Sequence, residues 1–232
     1  AAITHCQLCG SDRRTLKFRD GPFEVVTCNE CGLVYVTPRL QGQALLDIYD
    51  EGYWKSNNPK VRGYADYARE SALYLKTFQK RMGLVKRWLV PNARILDVGC
   101  AAGYFLRIVK QFGHDVHGVE LSEAIAKEAI AALGSDRVHI GTLDDAVAAM
   151  DYQPQSFDLI TLWDVIEHIP NPQAVLQRIR TLLKPGGRLL VSLVRSQDPT
   201  ALVAANRVLL HRREPDGSLA SLDRYKAFGA YI

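Results

Sequence analysis

Two groups of residues in this chain have the types and spacing to do chemistry. The first is Asp97-Val98-Gly99-Cys100-Ala101-Ala102-Gly103, followed by Glu120. Two glycines bracket three small residues, so the backbone can turn tightly and a ligand can lie close against it. An acid precedes the turn and a second acid stands further on. The second group is Cys6-Gln7-Leu8-Cys9 and Cys28-Asn29-Glu30-Cys31, separated by residues 10–27. Each Cys-x-x-Cys pair can form a knuckle presenting two thiolates to one ion, and two knuckles close a tetrahedral four-sulfur zinc site. Two disulfides are the competing reading. Four thiolates leave no open coordination position, so such an ion is structural and not catalytic.

The elements around the glycine turn say how it is held. Arg94 to Val98 is a short, apolar, β-branched run that reads as a buried parallel strand. Tyr104 to Phe112 carries Phe105, Ile108, Val109 and Phe112 at helical spacing. Asp115 to Val119 is a second strand, with Glu120 at its carboxyl end. Strand, turn, helix, strand and terminal acid make one βαβ unit, which sets a cofactor at the helix N-terminus and the acid on a ribose diol. The turn is Gly-x-x-x-Gly, not the Gly-x-Gly-x-x-Gly of dinucleotide sites, and it lacks the Lys-Ser/Thr pair of a phosphate loop. Asp97 would repel a pyrophosphate but suits a ligand bearing an ammonium and a sulfonium. A nicotinamide dehydrogenase is therefore disfavoured.

Composition sets the frame. The chain has 232 residues, a net charge of +4 and 47% hydrophobic residues. That is room for one α/β domain and a small appendage. No apolar run reaches the ~18 residues of a membrane span, and no secretory leader is visible. The chain opens on Ala, so a few preceding residues are expected to be missing. Paired cysteines point to metal in a reducing compartment, hence to a cytoplasmic protein.

Along the rest of the chain, the segment between the cysteine pairs reads as a small hairpin, and Gly32 to Arg39 as a strand. Gln43 to Tyr49 reads as a short helix, Asp50 to Trp54 as a loop, and Tyr64 to Leu89 as the longest helix. Ser122 to Leu133 is a helix with Ser122 as its N-cap. Arg137 to Gly141 is a third strand and Asp145 to Met150 a short helix. Ser156 to Leu162 is a fourth strand, with Trp163 to Ile169 coming off its end. Ala174 to Leu183 is a helix and Arg188 to Leu193 a fifth strand. Ala201 to Leu210 reads as a helix, and no convincing final strand pair follows, so the C-terminal part is expected to be incomplete. Arg207, His211, Arg212 and Arg213 form a basic cluster, ordinarily a solvated face.

Asp97 to Gly103 with Glu120 resembles the first two motifs of class I S-adenosylmethionine (SAM) dependent methyltransferases. Phe157-Asp158-Leu159-Ile160, Glu167-His168-Ile169 and Leu183-Lys184-Pro185-Gly186-Gly187-Arg188-Leu189 resemble the later motifs, in the right order. The stretch from the cysteines through Tyr53 resembles the N-terminal region of a bacterial subfamily with a zinc ribbon before its catalytic domain. The likeness reaches to about residue 195. It implies an α/β, Rossmann-like doubly wound sheet behind a small zinc ribbon. The expected units are 1–38 (zinc ribbon), 39–90 (helical linker or lid) and 91–232 (SAM-binding domain).

The resemblance also assigns roles. Gly99, Ala101 and Gly103 would approach the methionine part of SAM, and Asp97 would support the turn or accept from the ammonium. Glu120 would accept both ribose hydroxyls, Leu143 and Asp144 would flank adenine, and Trp163 would lie near the methionine end. His168 is the candidate base; Cys100 is a small filler. Cys6, Cys9, Cys28 and Cys31 would hold structural zinc. Tyr53, Tyr64 and Tyr67 are weak candidates for touching substrate. The implied acceptor is a small molecule, a sugar or natural-product hydroxyl. A zinc-ribbon binding module whose catalytic domain acts on RNA or protein, or is silent, is the alternative. Arg13, Arg14, Lys17 and Arg19 are the ribbon's only basic run, so nucleic acid is not the expected partner.

Overall fold

The computed structural model describes residues 1–59, 63–67 and 69–194, together with the backbone of strands within 206–213, 219–221 and 227–228. Three antiparallel strands open the chain: β1 (Arg14–Asp20), β2 (Phe23–Cys28) and β3 (Val34–Thr37), in the order β1-β2-β3. The register of β1 on β2 shifts between Leu16 and Phe18. Short helices α1 (Gln43–Leu46) and α2 (Glu51–Trp54) follow, with Asp50 capping α2 by accepting from the Tyr53 amide at 2.9 Å. The expected loop at Asp50 to Trp54 is thus a capped helical turn.

Helix α3 spans Ser71–Val85, shorter than the expected Tyr64 to Leu89. The reason lies in the backbone. Tyr64 N–H donates to the Tyr53 carbonyl (2.8 Å), Ser56 N–H to the Tyr64 carbonyl (2.7 Å) and Tyr67 N–H to the Trp54 carbonyl (2.9 Å). Those groups are committed to α2 and cannot also serve an i to i−4 ladder.

The parallel part of the large sheet is built from β4 (Arg94–Val98), β5 (Asp115–Glu120), β6 (Val138–Ile140), β7 (Phe157–Trp163) and β8 (Leu183–Val194), parallel to one another. Between them run α4 (Tyr104–Gln111), α5 (Glu123–Leu133), α6 (Leu143–Ala149) and α7 (Pro172–Leu182). Strand order is β6-β5-β4-β7-β8. The chain moves outward in one direction from β4 and in the other from β7. The carboxyl ends of β4 and β7 therefore flank the topological switch point, where such sheets bind ligands. This is the expected doubly wound α/β fold. The strands are buried on both faces, and successive side chains alternate between them. Ile95, Leu159 and Leu190 join Phe105, Ile108 and Val109 of α4 on one face, while Leu96, Ile160 and Leu189 join Ile179 and Leu182 of α7 on the other.

The C-terminal expectation needs correcting. Residues 201–205 lie outside the described residues, but Asn206 to Leu210 belong to strand β9 (Asn206–Arg213), antiparallel to β8. Strands β10 (Leu219–Ser221) and β11 (Ala227–Phe228) pair with the other side of β9. The apolar spacing fits either period, and the open edge of β8 decides for strand.

Helix α6 starts two residues earlier than read, at Leu143, because Thr142 and Asp145 form a reciprocal capping box. Inside the sheet, a Cβ on Gly118 would stand 2.7 Å from Cys100 Sγ and 3.0 Å from Leu106 Cδ1. Gly118→Ala should therefore cost about 1–3 kcal/mol by overpacking. Adding Cys100→Ala, which removes the nearer atom, should recover much of that loss in thermal melts. An uncorrected double variant would refute the contact.

Candidate functional site

The switch point is organised by one carboxylate. Glu120 is buried, and its Oε2 accepts from the Ala101 amide (2.9 Å) while Oε1 accepts from the Ser122 amide (2.8 Å). Ala101 reaches this position with a φ of 46°, in the left-handed region. Burial pushes the Glu120 carboxyl above its ordinary range, and the Ser122 and Ala101 amides oppose the shift. A carboxylate offers about four acceptor sites. The two amides take one on each oxygen, which leaves one on each for a pair of vicinal hydroxyls.

Asp97 is fully enclosed beneath the turn. Thr161, itself without solvent exposure, donates its hydroxyl to Asp97 Oδ1 at 2.6 Å. Burial raises the Asp97 carboxyl to about 7; the Thr161 bond opposes the rise and the Glu120 charge adds to it. A cation delivered between these two acids would be met by charge that the protein alone leaves uncompensated.

Gly99 has a φ of 75°, and a Cβ there would fall 2.5 Å from Val165 Cγ2. The loop after β7 thus lies directly on the turn. Gly103 has a different reason: a Cβ would press on Ala129 and Leu133, so its bareness lets α5 approach. Cys100 is buried, and burial pushes its thiol well up, which suits a filler and not a nucleophile.

Four assigned side chains have partners within the protein. The Trp163 ring packs in the core edge-on to Phe105 (5.1 Å between centroids) and Phe78 (5.8 Å), with the Arg81 guanidinium over it at 4.7 Å. Leu143 is buried against the core beside Val98 and Val119. Asp144 is exposed and pairs with Arg178 of α7 at 2.6 Å. His168 is exposed on the 3-10 turn Ile166–His168, its ring edge-on to Tyr49 at 6.5 Å between centroids.

Several further residues shape the site. Asp164 has a φ of 57°, accepts from Ser192 Oγ at 2.8 Å and pairs with Arg81 at 3.2 Å. Such backbone strain is concentrated at functional sites. Ser122 is no side-chain cap. Its hydroxyl donates to the Tyr49 carbonyl (2.6 Å) and accepts from Trp54 Nε1 (2.8 Å), docking the 49–54 segment onto the end of β5. Thr161 and Ser192 did leave a signal: each is a lone hydroxyl inside an apolar strand.

Above the strand ends lies an aromatic array. Tyr53 and Tyr64 sit 5.6 Å apart, Trp54 stacks on Tyr64 at 5.8 Å, and Tyr67, Tyr74 and Tyr104 continue the series. The Tyr49 phenol is raised to about 12, by burial first and then by the charges of Tyr53, Glu120 and Glu167. Burial also raises the Tyr64 phenol, with Tyr53 and Asp164 adding to it.

In the ribbon, Cys6 and Cys31 sulfurs lie 3.6 Å apart and Cys9 and Cys28 sulfurs 3.5 Å apart, with all four within 4.8 Å of one another. Disulfide sulfurs would be ~2.05 Å apart, so the four are free thiols. A tetrahedron with metal–sulfur bonds of ~2.3 Å has edges of roughly 3.8 Å. The two knuckles repeat one geometry. Gly10 N–H donates to the Cys6 carbonyl (2.8 Å) and Gly32 N–H to the Cys28 carbonyl (3.0 Å), both glycines at positive φ. Of the ribbon's basic residues, Arg13 pairs with Glu30, Arg19 with Glu24, and Arg14 donates to the Ile3 carbonyl.

A parallel sheet with a glycine turn, a buried acid before it and a buried acid on the next strand defines a nucleoside-binding α/β protein. Residues 67–224 match the family described as methyltransferase domain. The chain belongs to it, and with it to the class I SAM-dependent methyltransferases. It is 33% identical over 137 residues to the ubiquinone biosynthesis O-methyltransferase of Xanthomonas campestris pv. campestris, covering 57% of this chain and 56% of that one. It is 36% identical over 121 residues to the enzyme of the same name from Idiomarina loihiensis, covering 50% and 49%. The chain thus spans about half the length of these curated relatives. A solved SAM-dependent methyltransferase of Thermotoga maritima, described as a possible histamine N-methyltransferase, is similar at 25% identity over 65% of this chain and 62% of its own, with a TM-score of 0.45.

The Asp97 carboxyl gives a prediction with a definite sign. Its unfolded pKa is the ordinary 3.8 and its folded value about 7, so between those pH values the native state holds more protons than the unfolded one. Stability must fall as pH rises through that window. Asp97→Asn keeps the Thr161 acceptor and removes the charge. It should gain roughly 2 kcal/mol over wild type on going from pH 5 to pH 8, read by denaturant unfolding. A difference independent of pH would contradict the buried-charge account.

Proposed function

We propose that this protein transfers the methyl group of SAM to a hydroxyl of a small, ring-bearing molecule. The single observation that carries the reading is the Glu120 carboxylate, fixed by two amides at the switch point with acceptor capacity for a ribose diol. SAM would supply a methyl already activated by its sulfonium. The chain's own work is then to bind, orient and exclude water.

Gly99 and Ala101 carry the turn that the methionine part lies against, and Asp97 answers the ligand's positive charge. Leu143 and Asp144, at the start of α6, stay with the adenine side of the site through their backbone, since Leu143 is buried in the core and Asp144 is engaged by Arg178. Trp163 acts from behind, by holding Phe105 and Arg81 and through Arg81 the strained Asp164.

Tyr49, Tyr53 and Tyr64 form the acceptor chamber. Their faces suit a planar ring, and the raised phenols of Tyr49 and Tyr64 stay protonated as hydrogen-bond donors. His168, beside Tyr49, takes the proton of the acceptor hydroxyl. The O-methyltransferase names of the relatives favour oxygen as the acceptor atom, and the aromatic faces favour a phenolic ring over a sugar. Zinc is held by Cys6, Cys9, Cys28 and Cys31 in a closed, structural site. The bacterial cytoplasm is the proposed compartment. Among the described residues no helix is long and apolar enough to cross a membrane.

Radiolabelled methyl transfer from SAM to a panel of catechols, monophenols and free sugars tests the reading. Label should enter a phenol, and His168→Ala should lower kcat by about 10²–10⁴-fold while leaving SAM affinity unchanged. Transfer to sugars alone would replace the phenol assignment. Transfer to no small molecule, with label entering RNA or protein, would overturn the small-molecule reading.

A further inference from the structure

Residues 164–171 form the long connection between β7 and α7, and a single 3-10 turn, Ile166–His168, is its internal regular structure. Such a segment must place its backbone carbonyls on outside partners. The ribbon side of the molecule provides them. Arg39, just past β3, donates to the Glu167 carbonyl at 2.6 Å. Gln7, inside the first cysteine knuckle, donates to the Pro170 carbonyl at 2.7 Å. In the other direction, Gln173 of α7 donates to the Leu8 carbonyl of the same knuckle at 3.2 Å. Three contacts thus bridge sequence separations of 128, 163 and 165 residues.

The clamp is tied at both ends. Ala1 and Arg39 exchange backbone bonds, and Ile3 N–H donates to Thr37 Oγ1 at 2.8 Å, which fixes the knuckle's entry strand beside Arg39. At its other end the loop bears on the active turn, with Val165 in the space that a Cβ on Gly99 would fill, and on the chamber, with His168 against Tyr49. Gln7 and Leu8 lie between Cys6 and Cys9, so their directions are set by whatever fixes those two sulfurs.

We propose that the ribbon is a positioning device for the acceptor-side loop: the metal-closed knuckle, through Gln7, the Leu8 carbonyl and Gln173, together with Arg39, holds residues 164–171 in register over the Gly99 turn. Gln7, Arg39 and Gln173 are positioning residues that act through Val165 and His168. The proposal rests on the reading that this loop borders the acceptor chamber. It gives the appended ribbon a role without nucleic acid.

Hydrogen exchange of the full chain, with zinc content checked at one ion per chain, tests it. In the Gln7→Ala/Gln173→Ala variant, and separately in Arg39→Ala, amides of the 164–171 peptide should exchange roughly threefold to tenfold faster, the range for one or two lost hydrogen bonds. The β4 peptide should be unchanged. Chelating the metal from wild type should speed the same peptide. With a phenol that turns over, the double variant should raise its KM about as much and leave S-adenosylhomocysteine affinity within about twofold. Unchanged exchange of 164–171 in both variants and after chelation overturns the clamp, even if methyl transfer is found. Faster loop exchange with no phenol turned over leaves the clamp standing and removes the acceptor assignment. Faster exchange with KM unchanged makes the contacts merely structural and overturns the positioning role.

Discussion

The carboxylate of Glu120 accepts amide protons from two directions, and the site depends on that interaction. Ala101 brings the turn after β4 to it, and Ser122 brings the start of α5. Ser122 in turn receives Trp54 and holds the Tyr49 carbonyl, so the 49–54 segment is docked by the next residue but one. Removing the carboxylate would leave two amides without their charged acceptor and release the left-handed Ala101. The cost of burying an acid is visible in its raised pKa, and Asp97 beneath it is raised further. Two enclosed carboxylates near each other weaken the free protein and favour a cationic ligand. Stability is given up where binding needs it.

The parts legible in the sequence were those fixed by local chemistry. Asp97, the Gly99 to Gly103 turn and Glu120 follow from short-range pattern, because a tight turn needs glycine and a buried parallel strand needs a continuous apolar run. The paired cysteines follow from knuckle geometry for the same reason. The capping box at Thr142 was legible too, yet the helix start was read two residues late.

What was hidden depends on partners far along the chain. The Trp163 ring turns to the core because Phe78, Phe105 and Arg81 await it there, and no residue near Trp163 announces them. Tyr64 and Tyr67 sit within a helical spacing but give their amides to the Tyr53 and Trp54 carbonyls of α2. Strand β9 is made by the edge of β8 and not by its own composition. Asp144 looks like a site acid and is drawn off by Arg178, thirty-four positions away. In each case a tertiary partner outweighs the local preference.

The central claim is that a two-amide carboxylate at the switch point binds the ribose of SAM. Calorimetric titration of SAM and S-adenosylhomocysteine into the zinc-loaded protein, beside Glu120→Gln and Glu120→Ala, tests it most directly. Both ligands should bind wild type, with affinity falling at least tenfold in Glu120→Gln and further in Glu120→Ala, as the loss of charge-assisted hydrogen bonds requires. Equal affinity in wild type and both folded variants would contradict the account.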